Sequence, residues 1–312
     1  MKKKFKMLIG LPRSGKSTYC EKCIDAIVIS TNQLREELYG DMFNQSHNEE
    51  VFGEATKRIV HHLQTCTTQE VILDATNIKL KDRTKILTTI DESISPKLYK
   101  KEAVWFVTPY EVCLDRNRNC FHVIDESIIR QMYTHFVPPH YREGFTKIEL
   151  YFSDTDITNY TIENFLKDAD KFDQQNPYHK LTLGGHCRAA AKYVQLKNAS
   201  LLVQLATLLH DNGKPFTASY LNGKGVKTDY LHYYQHHSVG AYNLPLYIKN
   251  SVFYNKELTD KEIIQMANLI YYHMHPLIYW NQEEKFKCAE ASFESHFFRD
   301  LMLLHEGDRS AH

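Results

Sequence analysis

Eight residues near the amino terminus, Gly10-Leu11-Pro12-Arg13-Ser14-Gly15-Lys16-Ser17, satisfy G-x-x-x-x-G-K-[ST] at every fixed position. Glycines at such places let backbone N–H groups curl around phosphate oxygens, and a helix starting there aims its positive end at them. The lysine reaches the β- and γ-phosphates, and the serine holds Mg²⁺. The pattern predicts a nucleotide site built from Gly10, Gly15, Lys16, Ser17 and Thr18. Asp74 closes the apolar run Val71-Ile72-Leu73, where a carboxylate suits support of that Mg²⁺. Arg116 and Arg118 sit on a helix that leads into a polar loop. In phosphoryl transfer, arginines so placed neutralise charge that develops on the moving group.

A second set of reactive residues is rich in histidine. Of 17 histidines, eleven follow residue 150. His186 heads a helix in Leu183-Gly184-Gly185-His186, and His210-Asp211 closes the apolar run 200–209. His232, His236 and His237 cluster before Val239-Gly240-Ala241. His273 and His275 follow another apolar helix, and Asp308 comes late, in Leu304-His305-Glu306-Gly307-Asp308. A hydrophobic helix that ends in His-Asp sets two polar groups against a core, and they need a partner. A divalent metal supplies one; imidazole with carboxylate suits Mn, Fe, Co, Ni or Zn. Such an ion lowers the pKa of water and makes a nucleophile at neutral pH. Lys214 then stands where it can orient a substrate phosphate.

The elements that must position these residues differ between the halves. Short apolar runs at 6–9, 27–29, 71–74, 103–107 and 148–152 read as strands. Between them lie helical patterns at 16–26, 32–39, 49–66, 81–90 and 109–117. Strands alternating with helices predict a parallel α/β sheet. Beyond Phe152 the apolar runs lengthen, at 188–194, 200–209, 261–272 and 291–304, and strand-like runs vanish. The expected organisation is an α/β domain over 1–152, a polar linker over 153–175 and an all-α domain over 176–312.

The first half resembles the phage-type polynucleotide kinase branch of the small P-loop kinases. The matching pieces are 10–18, then Ser30-Thr31-Asn32-Gln33-Leu34-Arg35 continuing to Asp41, then 74–77 with Arg83. Arg116-Asn117-Arg118, Pro138-Pro139 and Glu143-Gly144-Phe145 follow in order. The resemblance implies ATP on the P-loop and an Asp-x-x-Arg segment on the acceptor, whose arginine matches Arg35. Asn32 stands where the family places its proton-accepting aspartate, and a neutral amide takes no proton. Three readings follow: Asp74 is the base; the transfer is mainly positioning and electrostatics; or the kinase is weak, or takes another acceptor. Cys120 occupies a later arginine position of the family, which leaves open which of Arg116 and Arg118 meets ATP.

The second half resembles the HD phosphohydrolase superfamily, particularly the HD domains linked to tRNA nucleotidyltransferases. Asn176-Pro177-Tyr178-His179, His186, 209–215, His232-Tyr233-Tyr234-Gln235-His236 with Gly240-Ala241, and Asp308 carry it. In the family's order the metal ligands map to His186, His210, Asp211 and Asp308. His236 and His273 fit positions that hold a second metal in some members.

Bulk composition sets the outer limits. At 312 residues the chain has room for about two domains. Lys+Arg and Asp+Glu are both 38, which excludes a basic nucleic-acid coat and an acidic solvating chain but not a local groove. Lys2, Lys3, Lys4 and Arg35 are candidate contributors to such a groove. No run of 18 apolar residues predicts a membrane span, and Met7-Leu8-Ile9 is too short for an export signal. Seven scattered cysteines read as reduced thiols in a cytoplasmic protein, with Cys20 and Cys23 on one helix face. Joined, the two resemblances imply an enzyme that heals broken nucleic-acid ends. One half would phosphorylate a 5′-hydroxyl, and the other would hydrolyse a 3′- or 2′,3′-cyclic phosphate. RNA or DNA ends and ATP would be its substrates, a ligase could act downstream, and no membrane is involved. Two other readings stand: a small-metabolite or nucleoside kinase with a nucleotide phosphohydrolase, and an ATP-sensing regulator with an inactive kinase half.

Overall fold

Five apolar strands, all running the same way, organise the amino-terminal part of the chain in the computed structural model. The structure describes residues 2–65, 69–251 and 257–311. They form two compact units, 1–132 with 139–155, and 133–138 with 156–312.

In the first unit the elements are β1 (Lys3–Ile9), α1 (Lys16–Glu21), β2 (Ala26–Ser30), α2 (Thr31–Tyr39), α3 (Asn48–Thr65) and β3 (Glu70–Asp74). Then come α4 (Leu80–Ser93), β4 (Tyr99–Val107), α5 (Tyr110–Arg118), α6 (Glu126–Thr134) and β5 (Lys147–Phe152). The sheet order is β2-β3-β1-β4-β5. Parallel strands need crossovers that cover both faces, which is why their centres are continuous apolar runs rather than alternating ones. Leu8, Ile72, Val104 and Phe106 form a core cluster, against which Tyr19 and Tyr151 pack. Tyr19 meets Phe106 edge-on at 5.5 Å and so anchors α1 to the sheet. Because the strands are parallel, every loop at a carboxyl end emerges on one edge. The chain order reverses beside β1, so the loop after β1 lies at the crevice where such sheets bind ligands.

The expected strands are all present, and each helix pattern of this half holds a helix. The differences have local causes. The helix expected over 16–26 stops at Glu21, because Lys22 and Cys23 turn back on Tyr19 and Cys20 to reach β2. Cys23 therefore lies past the helix, not on one face with Cys20. Burial pushes the Cys20 thiol up to about 12 and raises Cys23, so neither is a reactive thiolate. Cys66, expected at the end of the third helix, lies outside the described residues. The polar loop after Arg118 contains α6.

The second unit contains α7 (Ile162–Ala169), α8 (Leu183–Leu196), α9 (Leu201–Leu209), α10 (Lys214–Thr217), β6 (Ser219–Leu221), β7 (Lys227–His232) and α11 (His236–Lys249). It continues with α12 (Asp260–Tyr272), α13 (His275–Ile278), α14 (Glu283–Ser292) and α15 (Ser295–Ser310). Helix α11 is buried from His236 through Ile248. A helix buried on all sides lies at the centre of a bundle, and α12 packs along it while α8, α9 and α15 pack on one another. Three expectations are corrected here. The half is helical but not all-α, since β6 and β7 pair as an antiparallel hairpin. The segment 153–175 is not a free linker, since α7 buries Ile162, Phe165 and Ala169. The helix expected over 291–304 is broken at Phe293-Glu294, both extended, so α15 starts afresh at Ser295. Among the described residues no helix is long and apolar enough to cross a membrane.

The first unit also contains a fully buried ion pair. Arg83 holds Glu143 through two bonds, Nε–Oε2 at 2.7 Å and Nη2–Oε1 at 2.9 Å, and donates Nη1 to the Asn77 carbonyl at 3.0 Å. Removing one partner strands the other's charge in the core, so Arg83→Met is expected to cost about 3–5 kcal/mol. Urea unfolding of the two proteins measures it, and a loss below about 1 kcal/mol would contradict the account.

Candidate functional sites

In the first unit the loop 10–15 rises between β1 and α1, at the carboxyl edge of the sheet. Gly15 has φ of 96°, a conformation that suits glycine and lets the loop turn into α1. The loop is braced by its neighbours on that edge. Gly10 donates to the Thr76 carbonyl at 3.0 Å, and Thr108 Oγ1 donates to the Ser14 carbonyl at 3.0 Å. Lys16 Nζ is buried and donates to the carbonyls of Gly10 and Leu11 at 3.1 and 2.7 Å. Burial pushes its ammonium below the ordinary lysine value, although Asp74 pulls it back. Lys16 Nζ also donates to Ser14 Oγ at 3.5 Å, and an ammonium held by neutral oxygens at the amino end of a helix suits an anion.

Ser17 Oγ lies 3.3 Å from Asp74 Oδ2, and Thr31 Oγ1 donates to the Asp74 carbonyl at 3.3 Å. A hydroxyl beside a carboxylate is a hard-oxygen pair that fits Mg²⁺. Thr18 is exposed in the first turn of α1. The two arginines of α5 separate. Arg116 donates to the Arg13 carbonyl at 3.2 Å and to Thr155 at 2.9 Å, beside the loop. Arg118 turns away and is exposed, paired with Glu126 at 2.6 Å.

Arg35 has an unusual set of partners. It is 4% exposed, yet its acceptors are the neutral amides of Asn48 at 2.6 Å, Asn32 at 3.1 Å and Gln45 at 3.4 Å. Its Nε is buried without a hydrogen bond. Burial lowers its pKa without an opposing carboxylate. A guanidinium desolvated without a counter-ion is a receptor for an anion.

In the second unit five helix ends converge. His186 lies in the first turn of α8, His210 and His273 cap α9 and α12, His236 opens α11, and Asp308 lies in the last turn of α15. His186, His210, Asp211 and Asp308 offer ligand atoms within 4.8 Å of one another, and so do Asp211, His236 and His273. Asp211 belongs to both sets. Its Oδ2 lies 3.3 Å from Nε2 of His186 and of His210, and its Oδ1 lies 3.2 Å from Nε2 of His236 and 3.9 Å from that of His273. Asp308 Oδ1 is 3.1 Å from His186 and 3.3 Å from His210.

The rings are held by one repeated device. His210 Nδ1 faces the Thr207 carbonyl at 2.7 Å, His236 the Tyr233 carbonyl at 2.7 Å, and His273 the Ile270 carbonyl at 2.6 Å. His186 Nδ1 faces the Ala311 carbonyl at 3.2 Å. A carbonyl only accepts, so each Nδ1 carries the hydrogen, and the neutral ring then presents a bare Nε2. All four Nε2 atoms point inward. His186 and His210 approach to 3.2 Å, and His236 and His273 to 3.3 Å. Lone pairs at that spacing, against two carboxylates, are stable only with a proton or a cation among them. Nitrogen and oxygen donors of this kind fit a divalent transition ion. Without one, burial would push His210 down, but Asp211 and Asp308 override it and carry it up to about 10. Burial, with the neighbouring His210 and His236, drives His273 down to about 3.

Lys214 Nζ lies 2.7 Å from Asp211 Oδ2, 2.8 Å from Gln174 Oε1 and 3.2 Å from His179 Nε2. Gly213 lets α10 approach α11, since a Cβ there would collide with the backbone carbonyl of His236. Asn212 ties the same helix ends together, donating to Leu209 at 2.8 Å and Gly240 at 3.0 Å. Sequence reasoning missed Thr31, Thr108, Asn48, Gln174 and Asn212. Thr31 and Asn212 lie inside the matched stretches but carried no role of their own there; Thr108, Asn48 and Gln174 belong to no motif, and only the fold brings them in.

A family profile described as an AAA domain matches residues 6–139. The first unit is a P-loop, kinase-like α/β domain. No curated protein sequence matches the chain. Among solved structures, a chain of the Pnkp1/Rnl/Hen1 RNA repair complex is similar at 22% identity and TM-score 0.37, over 43% of this chain and 44% of that one. This chain thus spans less than half the length of that protein. Kti12 of Chaetomium thermophilum, solved with ADP-AlF3, gives 17% identity and TM-score 0.36 over 49% and 90%. A fungal RNA kinase gives 15% and 0.36 over 54% and 85%. TM-scores of this size bear on neither substrate nor mechanism.

If the four rings are ion ligands, binding must expel the proton that His210 otherwise keeps at neutral pH. Affinity for Mn²⁺ should therefore rise between about pH 6 and about pH 9, with proton release. Calorimetry in buffers of differing ionisation enthalpy reads both. Affinity independent of pH would contradict the assignment.

Proposed function

We propose that the chain is a bifunctional nucleic-acid end-healing enzyme. Its first unit would transfer phosphate from ATP to a 5′-hydroxyl, and its second would hydrolyse a 3′- or 2′,3′-cyclic phosphate with a divalent transition metal. The observation that carries the reading is the pairing, in one chain, of a phosphate cradle with a His/Asp cluster that shares one carboxylate. One supplies a phosphoryl donor site and the other a hydrolytic site, and a broken strand presents work for both.

In the kinase half, the loop amides and Lys16 would bind the ATP phosphates, and Ser17 with Asp74 would hold Mg²⁺. Arg116, already beside the loop, is the arginine placed to meet charge on the transferred group; Arg118 is engaged elsewhere. Arg35, lacking a carboxylate partner among the described residues, would take an acceptor phosphate. Asn32 accepts from Arg35 and so would orient the guanidinium rather than remove a proton. Such transfer depends mainly on positioning and electrostatics, which tolerates a weak base.

In the second half His186, His210, Asp211 and Asp308 would hold one ion, and Asp211, His236 and His273 a second. When bound, a divalent ion supplies Lewis-acid charge and a water of lowered pKa. Lys214 brings a fixed cation to the same place, where it would orient the substrate phosphate.

The test is labelled ATP with 5′-hydroxyl RNA, DNA and nucleosides, run beside 3′-phosphate release across a panel of Mn, Ni, Co, Fe and Zn. Lys16→Ala is expected to abolish transfer and spare hydrolysis, and Asp211→Ala the reverse; joint loss in either would overturn the two-site reading. Asn32→Asp is expected to raise the 5′-kinase rate by about tenfold or more if a general base limits it. An unchanged rate would assign the base to Asp74 or to none.

A further inference from the structure

The hairpin β6–β7 is the element that the helical half does not need for its core. It leaves the bundle directly after α10, which carries Lys214, and returns at His236. Its two faces differ. Residues 231 and 233 face the body: Leu231 donates its N–H to the Gln175 carbonyl at 2.9 Å, and Tyr233 donates its hydroxyl to the Gln174 carbonyl at 2.5 Å. Side chains alternate along a strand, so residues 228, 230 and 232 share the other face, and Tyr234, in the turn that follows, stacks on His232.

That second face is a ladder of rings. Tyr230 and His232 lie 4.8 Å apart between centroids, and His232 and Tyr234 stack at 5.4 Å and 10°. The ladder is rigid before any ligand arrives. Thr228 Oγ1 lies 3.0 Å from His232 Nε2, and Tyr234 accepts the Gly223 N–H at 3.0 Å. Its outer ring, Tyr234, is 52% exposed, while Tyr220 on the partner strand donates its hydroxyl to Gln175 Oε1 at 2.6 Å. Tyr230 is tilted at 46° to His232 and both are half-buried, whereas Tyr234 lies parallel to His232 and offers its outer side to solvent. The tip adds Lys224 and Lys227, against one acid, Asp229.

We infer that this hairpin is a stacking platform for the bases next to a phosphorylated 3′ end, so that the second site takes single-stranded nucleic acid rather than a free nucleotide. The inference deepens the hydrolase reading above and rests on it. Tyr234 is two residues from His236, so the ladder begins within about 7 Å of chain from the cluster. Base stacking on rings is sequence-tolerant, and lysines beside it serve the backbone phosphates.

The experiment compares wild type, Tyr234→Ala and Tyr234→Phe. It reads anisotropy binding of a labelled single-stranded oligonucleotide with a 3′-phosphate, its hydrolysis, and hydrolysis of a small aryl phosphate. Tyr234→Ala is expected to raise Kd and KM for the oligonucleotide by about tenfold or more, with kcat and aryl phosphate hydrolysis unchanged. Tyr234→Phe, which keeps the ring, should behave as wild type. Equal losses on both substrates, or wild-type affinity in Tyr234→Ala, would overturn the platform. Oligonucleotide binding that depends on Tyr234 in a protein that releases no phosphate would support the platform and overturn the hydrolase reading instead.

Discussion

Four imidazole nitrogens with bare lone pairs cannot share a dry pocket with two carboxylates unless positive charge sits among them. The second unit is built around that constraint. Its helices begin or end at the pocket, so that rings and carboxylates arrive from helix termini rather than from helix faces. Termini have a specific advantage: the last carbonyls of a helix lack intrahelical partners. His210 and His273 use them, each turning its Nδ1–H back on the carbonyl three residues earlier. One hydrogen bond thus fixes the tautomer and aims the ligand atom. The buried Asn212 and the side-chain-free Gly213 hold the ends of α9, α10 and α11 close enough for Asp211 to serve both clusters.

The first unit solves a related problem with the opposite means. Its charge is that of the ligand, and its receptor is backbone. A parallel sheet delivers the loop after β1, the carboxylate at the end of β3 and the hydroxyls after β2 and β4 to one edge, and the strand order opens a crevice there. Among the described residues, Lys16 and Arg35 hydrogen-bond neutral oxygens rather than carboxylates. Arg83 is the contrast: equally buried, it is fully paired with Glu143 and can only be structural. The two buried arginines differ in the charge of their acceptors, not in burial.

Much of this was legible in the residues. The P-loop spacing and the His-Asp pair after an apolar run both state their chemistry in consecutive positions, and the structure places each set together. What was not legible depends on groups that every residue has, or on distance in the chain. The carbonyls of Thr207, Tyr233 and Ile270 that lock the rings carry no signal in a side chain. Arg116 and Arg118 could not be ranked from their spacing, because residues two apart on a helix face different ways and only packing tells which way is inward. The hairpin was hidden because β6 is three residues long and β7, Lys-Thr-Asp-Tyr-Leu-His, is half polar. The helix α7 was hidden by the polar residues around its three buried ones.

The central claim is that the inward-facing nitrogens and carboxylates are a ligand set for divalent ions, shared through Asp211. Anomalous diffraction at the manganese edge from Mn²⁺-loaded crystals tests it most directly. The account predicts one peak among His186, His210, Asp211 and Asp308 and a second beside Asp211, His236 and His273. No peak at either cluster, with manganese bound elsewhere on the chain, would contradict it.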